Sequence, residues 1–177
     1  MSDIPETFSV GSLYIAGFTQ AAKEPHKALI IPTDTQSGFL VHIRIDRETS
    51  PNWTYQSRKQ RIAGEMFLSS LLKIHDIAAG EITVDQLRQA ATAVPVPDND
   101  QFGECGPWLF KVIHQLHKSR LVTMQTERRG SDEAQDEHHI AIVLGKLAQE
   151  FKDLAEGSRA FARRERFPNV AVSQFCL

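Results

Sequence analysis

A chain of 177 residues with 41% hydrophobic and 24% charged side chains has enough apolar surface for one packed domain, with no need of a metal or a disulfide. Its net charge of −2 gives no overall basic bias toward nucleic acid or an anionic membrane. No run approaches the ~20 apolar residues of a membrane span. The segment Met1–Glu6 has neither the basic start nor the apolar core of a signal peptide, and Cys105 and Cys176 form no disulfide or zinc pattern. A reducing, cytoplasmic setting is the expectation.

The first half reads as strands. Ser12–Phe18 and Lys27–Ile31 are short runs of strand formers, and Thr33–Gly38 between Ile31 and Phe39 is turn material. Phe39–Ile45 alternates, with Phe39, Val41, Ile43 and Ile45 on one face. Trp53–Gln56 follows a Ser-Pro-Asn turn as a fourth strand. Phe67–His75 fits strand or helix, and strand is the preferred reading.

The second half turns helical. Thr83 is placed to cap a helix over Val84–Ala91, and the prolines of Val94–Asp100 impose an extended connector. A helix is predicted from Cys105 to His117, its buried face marked by Trp108, Leu109, Val112, Ile113 and Leu116. After the polar break at Arg128–Glu133, a long helix from Asp132 to Glu156 carries the stripe Ile140, Val143, Leu144, Leu147, Phe151 and Leu154. The expected organisation is an α+β core over residues 1–125 and a helical extension over 126–177. That extension either packs on the core or forms the seam of a homodimer.

One constellation has an obvious chemistry. If the first hairpin turns about Asp34, His26 falls directly opposite His42, on the side that carries Ala28, Ile30, Leu40 and Arg44. Opposed residues have Cβ atoms ~4.5–5.5 Å apart, close enough for one imidazole to fix the tautomer of the other. Cys105 stands at a helix start, where free N–H groups and the helix dipole favour a thiolate. Gly106 leaves room for a ligand, and Pro107 suits the first turn. Cys105 shares the buried face of Trp108 and Leu109, a face expected to pack on the sheet that carries the histidines. Glu104 opposes thiolate formation if it points the same way.

These residues resemble the circularly permuted NlpC/P60-like branch of the papain-like thiol fold, which contains the lecithin:retinol acyltransferase-like enzymes, and most closely a group of small fungal proteins of that type. The shared pattern is a strand like Leu13-Tyr14-Ile15-Ala16, then His26-Lys27-Ala28-Leu29, a second strand with His42, the connector Val94-Pro95-Val96, and the helix start Cys105-Gly106-Pro107-Trp108. It covers roughly residues 12–120.

The resemblance implies an antiparallel sheet packed on the cysteine helix. It also implies a Cys-His-His triad, with Cys105 as nucleophile, His26 as general base and His42 as orienting residue. Its substrate would be a small-molecule or peptide acyl compound, and the outcome is hydrolysis or acyl transfer according to the acceptor. Two features depart from the pattern: Lys27 where related proteins often carry an aromatic, and the long helix after position 130. A non-catalytic binding or interaction module on the same fold, or a tailoring enzyme for a small fungal metabolite, fits the same residues.

Each feature also has a plainer reading. Cys105 can be a small buried hydrophobe, His26 a surface strand start and His42 a satisfied sheet histidine. His114 and His117 have metal-compatible spacing but no accompanying carboxylate–histidine set, and His138 and His139 point apart on a helix. Arg58-Lys59-Gln60-Arg61 reads as a solvated basic loop, with an anion-binding role as the alternative. The absence of a glycine-rich phosphate loop leaves nucleotide binding without support, and no cofactor or metal is expected.

Overall fold

A computed structural model describes residues 8–19, 26–46, 48, 50–65, 67–101, 103–124, 133–157 and 168–176. Six strands, β1 (Leu13–Phe18), β2 (His26–Pro32), β3 (Ser37–Arg44), β4 (Thr54–Arg61), β5 (Leu68–His75) and β6 (Asn169–Val172), form one sheet in the order β4-β3-β2-β1-β5-β6. The helices are α1 (Val84–Thr92), α2 (Cys105–Lys118) and α3 (Glu133–Gly157), with a 3-10 turn at Ile77–Ala79. The fold is mixed α+β, a sheet packed against helices.

Strands β1, β2, β3 and β5 are apolar on both faces. Leu13, Ile15, Leu29, Ile31, Val41, Ile43, Leu72 and Ile74 join one buried cluster with residues of all three helices, including Leu87, Trp108, Leu109, Val112, Leu147 and Phe151. The alternate positions Tyr14, Ala16, Ala28, Ile30, Leu40, Leu68 and Leu71 form a second cluster with Phe8 and Ile62. Side chains alternate along a strand, so these clusters lie on opposite faces of the sheet. We call them the helix face and the outer face.

Local sequence accounts for the elements. Asp34 closes the first hairpin by accepting from the N–H groups of Gln36 (2.7 Å) and Ser37 (2.8 Å). The Ser37 carbonyl accepts from the N–H groups of Thr33 and Asp34. Pro32 and Gly38 then form the first pair, followed by Ile30 with Leu40 and Leu29 with Val41. The turn therefore centres on Thr35, not Asp34, and continuing the register sets His42 opposite Ala28 rather than opposite His26. Thr83 and Gln86 make a reciprocal capping box at the start of α1. The connector before α2 is pinned by Trp53, whose Nε1–H donates to the Gln101 carbonyl at 2.9 Å.

Two further expectations are corrected, and two readings left open are decided. The sheet is not wholly antiparallel, because β6 runs parallel to β5; a parallel pair needs a long crossover, which the helical half of the chain provides. Arg58-Lys59-Gln60-Arg61 is no loop but the end of β4, paired with β3 as far as Ser37–Arg61. Phe67–His75 resolves as strand from Leu68. The stripe of α3 is buried: Ile140, Val143, Leu147 and Phe151 lie in the same cluster as the helix face of the sheet.

Candidate functional site: a histidine pair on the outer face

The two strand histidines meet. His26 Nε2 lies 2.7 Å from His42 Nδ1, with ring centroids 4.9 Å apart at 67°. They are diagonal neighbours on one face, an arrangement that imidazoles are long enough to bridge. The chain continues to β4, which places Gln56 directly opposite His42. His42 Nε2 lies 2.8 Å from Gln56 Oε1.

The acceptor at the end of this chain sets the protons. Gln56 Oε1 can only accept, so His42 Nε2 carries hydrogen and donates to it. A neutral His42 then accepts at Nδ1, and His26 donates from Nε2. The remaining ring nitrogen, His26 Nδ1, is left as a bare lone pair with no hydrogen-bond partner among the described residues.

Both rings are held neutral near pH 7. Burial is the main cause at His26, reinforced by the positive charges of Arg58, Arg44 and Lys27, and its pKa falls from 6.5 to about 4. His42, almost fully buried, also falls to about 4; burial dominates, and the bond to Gln56 opposes it in part. Strand parity puts Arg44 and Arg58 on this same outer face, Arg58 two residues beyond Gln56 along β4, and the β2–β3 register, continued past its last pair Leu29–Val41, sets Arg44 across from His26.

The cysteine lies elsewhere. Cys105 opens α2 as expected, but it is buried in the helix-face cluster, and among the described residues its sulfur makes no hydrogen bond with either histidine. The sheet separates that cluster from the face bearing His26 and His42. The space above Gly106 is also taken: a Cβ built there would sit 3.2 Å from Lys27 Nζ. Glu104 caps the helix geometrically but makes no side-chain capping bond.

The other candidates are dispersed. Cys176 is free and buried, and burial pushes its thiol up to about 11. His114 Nε2 is buried without a hydrogen-bond partner among the described residues, and burial lowers its pKa. The Nδ1 of His117 is 3.2 Å from the Val122 carbonyl. No group of three potential metal ligands occurs among the described residues. A cavity of about 320 Å³ between α1 and α2 is lined by Gln86, Gln89, Ala90, Gln115, Ser119 and Leu121, without any of the three expected site residues. None of the helices among the described residues is long and apolar enough to cross a membrane.

The sequence places Arg44 on the histidine face and Arg58 in a basic run, but nothing in it marks Gln56 as a member of the site. The strand alternation around His42 marks Arg44, but the pairing that brings in Gln56 and Arg58 depends on the β3–β4 register, which the Ser-Pro-Asn turn does not by itself set.

The architecture defines a mixed α+β protein with a hydrogen-bonded histidine pair on one sheet face and a cysteine helix on the other. A family model, Family of unknown function (DUF6540), matches residues 13–123, and the chain belongs to this family. The matched span runs from β1 to just beyond α2, so it includes His26, His42, Gln56 and Cys105 and leaves out α3 and β6. No curated protein and no solved structure matches the chain.

Proposed function

We propose that this protein is a binding module on a permuted papain-like scaffold, with its ligand taken at the histidine face and its cysteine structural. The observation that carries this reading is the separation of Cys105 from both imidazoles by the sheet. Nucleophile and base must come within hydrogen-bond reach for thiol catalysis. Lys27, lying over the first turn of α2, adds to the case by filling the approach that Gly106 would otherwise leave open.

The test is the reactivity of the thiol. In the native protein at pH 6, iodoacetamide is expected to modify Cys105 at least ~10-fold more slowly than in the urea-unfolded chain, as befits a buried cysteine. Rapid native alkylation that disappears in His26→Gln would overturn the reading.

One observation favours a second reading, a Cys105-dependent acyl-transfer enzyme of the kind the resemblance implies. The bare lone pair on His26 Nδ1, with His42 fixing the ring from the other side, is what a general base requires. In that reading the Cys105 sulfur attacks an acyl carbonyl, His26 takes the thiol proton and returns it to the leaving group, and water or another acceptor releases the acyl group. It requires the sulfur to reach the histidine face. Ester or thioester turnover abolished in Cys105→Ala would establish it, and unchanged turnover in that variant would exclude it.

A further inference from the structure

We propose that the outer face binds a phosphate-type oxyanion that still carries a P–OH group, gripped by Arg44 and Arg58 with its hydroxyl donated to His26 Nδ1. This rests on the binding-module reading and names the chemistry of its ligand.

The argument begins with charge. His26, His42, Arg44, Gln56 and Arg58 share one end of one sheet face. Arg58 is exposed, and its Nη2 donates to the neutral Gln60 Oε1 at 2.9 Å; among the described residues no carboxylate pairs with it. Arg44 is within 3.9 Å of Asp46, too far for a charge-assisted hydrogen bond of the usual ~2.7–2.9 Å. Two guanidiniums thus stand beside two imidazoles that add no charge of their own at neutral pH. Guanidinium forks suit phosphate and carboxylate oxygens.

The histidine pair then discriminates among oxyanions. With Gln56 fixing the direction of the chain, His26 Nδ1 offers a lone pair and no hydrogen. A fully deprotonated anion would bring oxygen lone pairs against it. A hydrogenphosphate, or a phosphate monoester in its singly charged form, presents an O–H donor to the ring and negative oxygens to the arginines. Sulfate near neutral pH has the same shape and no proton to give.

The experiment is calorimetric titration of the full chain at pH 6 with inorganic phosphate, methyl phosphate and sulfate. Phosphate is expected to bind at least ~10-fold more tightly than sulfate, because the unpaired acceptor penalises the anion without a donor. Arg58→Gln, a change at an exposed position, is expected to weaken phosphate about 10-fold. His26→Gln is expected to erase the preference, since an amide can donate as well as accept. Methyl phosphate matching inorganic phosphate points to an esterified ligand, and its failure points to the free ion; both fit the proposal.

Sulfate binding as tightly as phosphate would overturn it, as would phosphate binding indifferent to both Arg44→Gln and Arg58→Gln, or no phosphate binding at all. The two proposals fail separately. Absent phosphate binding with slow Cys105 alkylation removes the anion site alone, whereas fast, His26-dependent alkylation removes the non-catalytic reading.

Discussion

A histidine whose pKa is lowered on folding makes stability depend on pH in a definite direction. Between about pH 4 and 6.5, the unfolded chain binds protons at His26 and His42 that the folded protein refuses. Stability is therefore full above pH 6.5 and declines as the pH falls toward 4. At the almost fully buried His42, a fall from 6.5 to about 4 is worth ~3 kcal/mol; the more exposed His26 contributes less. Urea midpoints measured from pH 7.5 to 4.5 should fall steeply in the native sequence and flatten in a His26→Gln/His42→Gln double variant. Equal slopes would mean that the rings charge without cost.

The same residues show what alternation can and cannot reveal. Side chains repeat with a period of two, so a turn misplaced by one residue shifts the register by two and keeps both histidines on one face. The pairing survived the error, and only its geometry changed from opposed to diagonal. Cys105 is the contrary case. The spacing of Trp108 and Leu109 puts it on the buried side of α2, but which face of the sheet that helix covers is not written in the helix. Leu29 and Ile31 are as apolar as Ala28 and Ile30, so β2 offers two suitable surfaces.

At the level of elements, α3 meets the sheet at a position where even a methyl group would force its neighbours to shift. A Cβ on Gly17 would meet Phe151 Cζ at 2.9 Å, and Ser70 Oγ closer still. Gly17→Ala should therefore cost ~1–3 kcal/mol by overpacking. Pairing it with Phe151→Leu should recover part of that loss, a coupling read from urea denaturation of the four proteins in the cycle. If the two effects simply add, Phe151 does not seat on Gly17. The strands at the two sheet edges were the least visible in the sequence. The β4 run Thr-Tyr-Gln-Ser-Arg-Lys-Gln-Arg has no apolar alternation because an edge strand can carry charge, which also discourages pairing with another chain. In β6, four residues are too few for a periodic signal, and β5 specifies their position through parallel pairing.

For the molecule as a whole, the boundary of the family match at residue 123 does not coincide with a boundary of the core. Leu147 and Phe151 are fully buried against the helix face, and Glu150 holds the segment after β6 through Ser173 Oγ (2.6 Å) and the Gln174 N–H (2.9 Å). A fragment ending at residue 125 should lose the cooperative thermal transition and bind a hydrophobic dye. A sharp, dye-free transition would show that α3 and β6 are an appendage rather than part of one folding unit. The sequence left this choice open because the apolar stripe of α3 would look the same against its own sheet or against a second copy.

The pairing of β5 with β6 also has a consequence in time. Ser70 pairs with Asn169, about a hundred residues further along. At a synthesis rate of ~5–20 residues per second, the flank of β5 waits roughly 5–20 s on the ribosome before its neighbour emerges. Throughout that interval, Leu71 and Leu72 lie in a strand with unsatisfied backbone on one side, available to any other nascent chain. How much of this protein a cell recovers in usable form should depend as much on what shields that flank during translation as on the stability of the finished sheet.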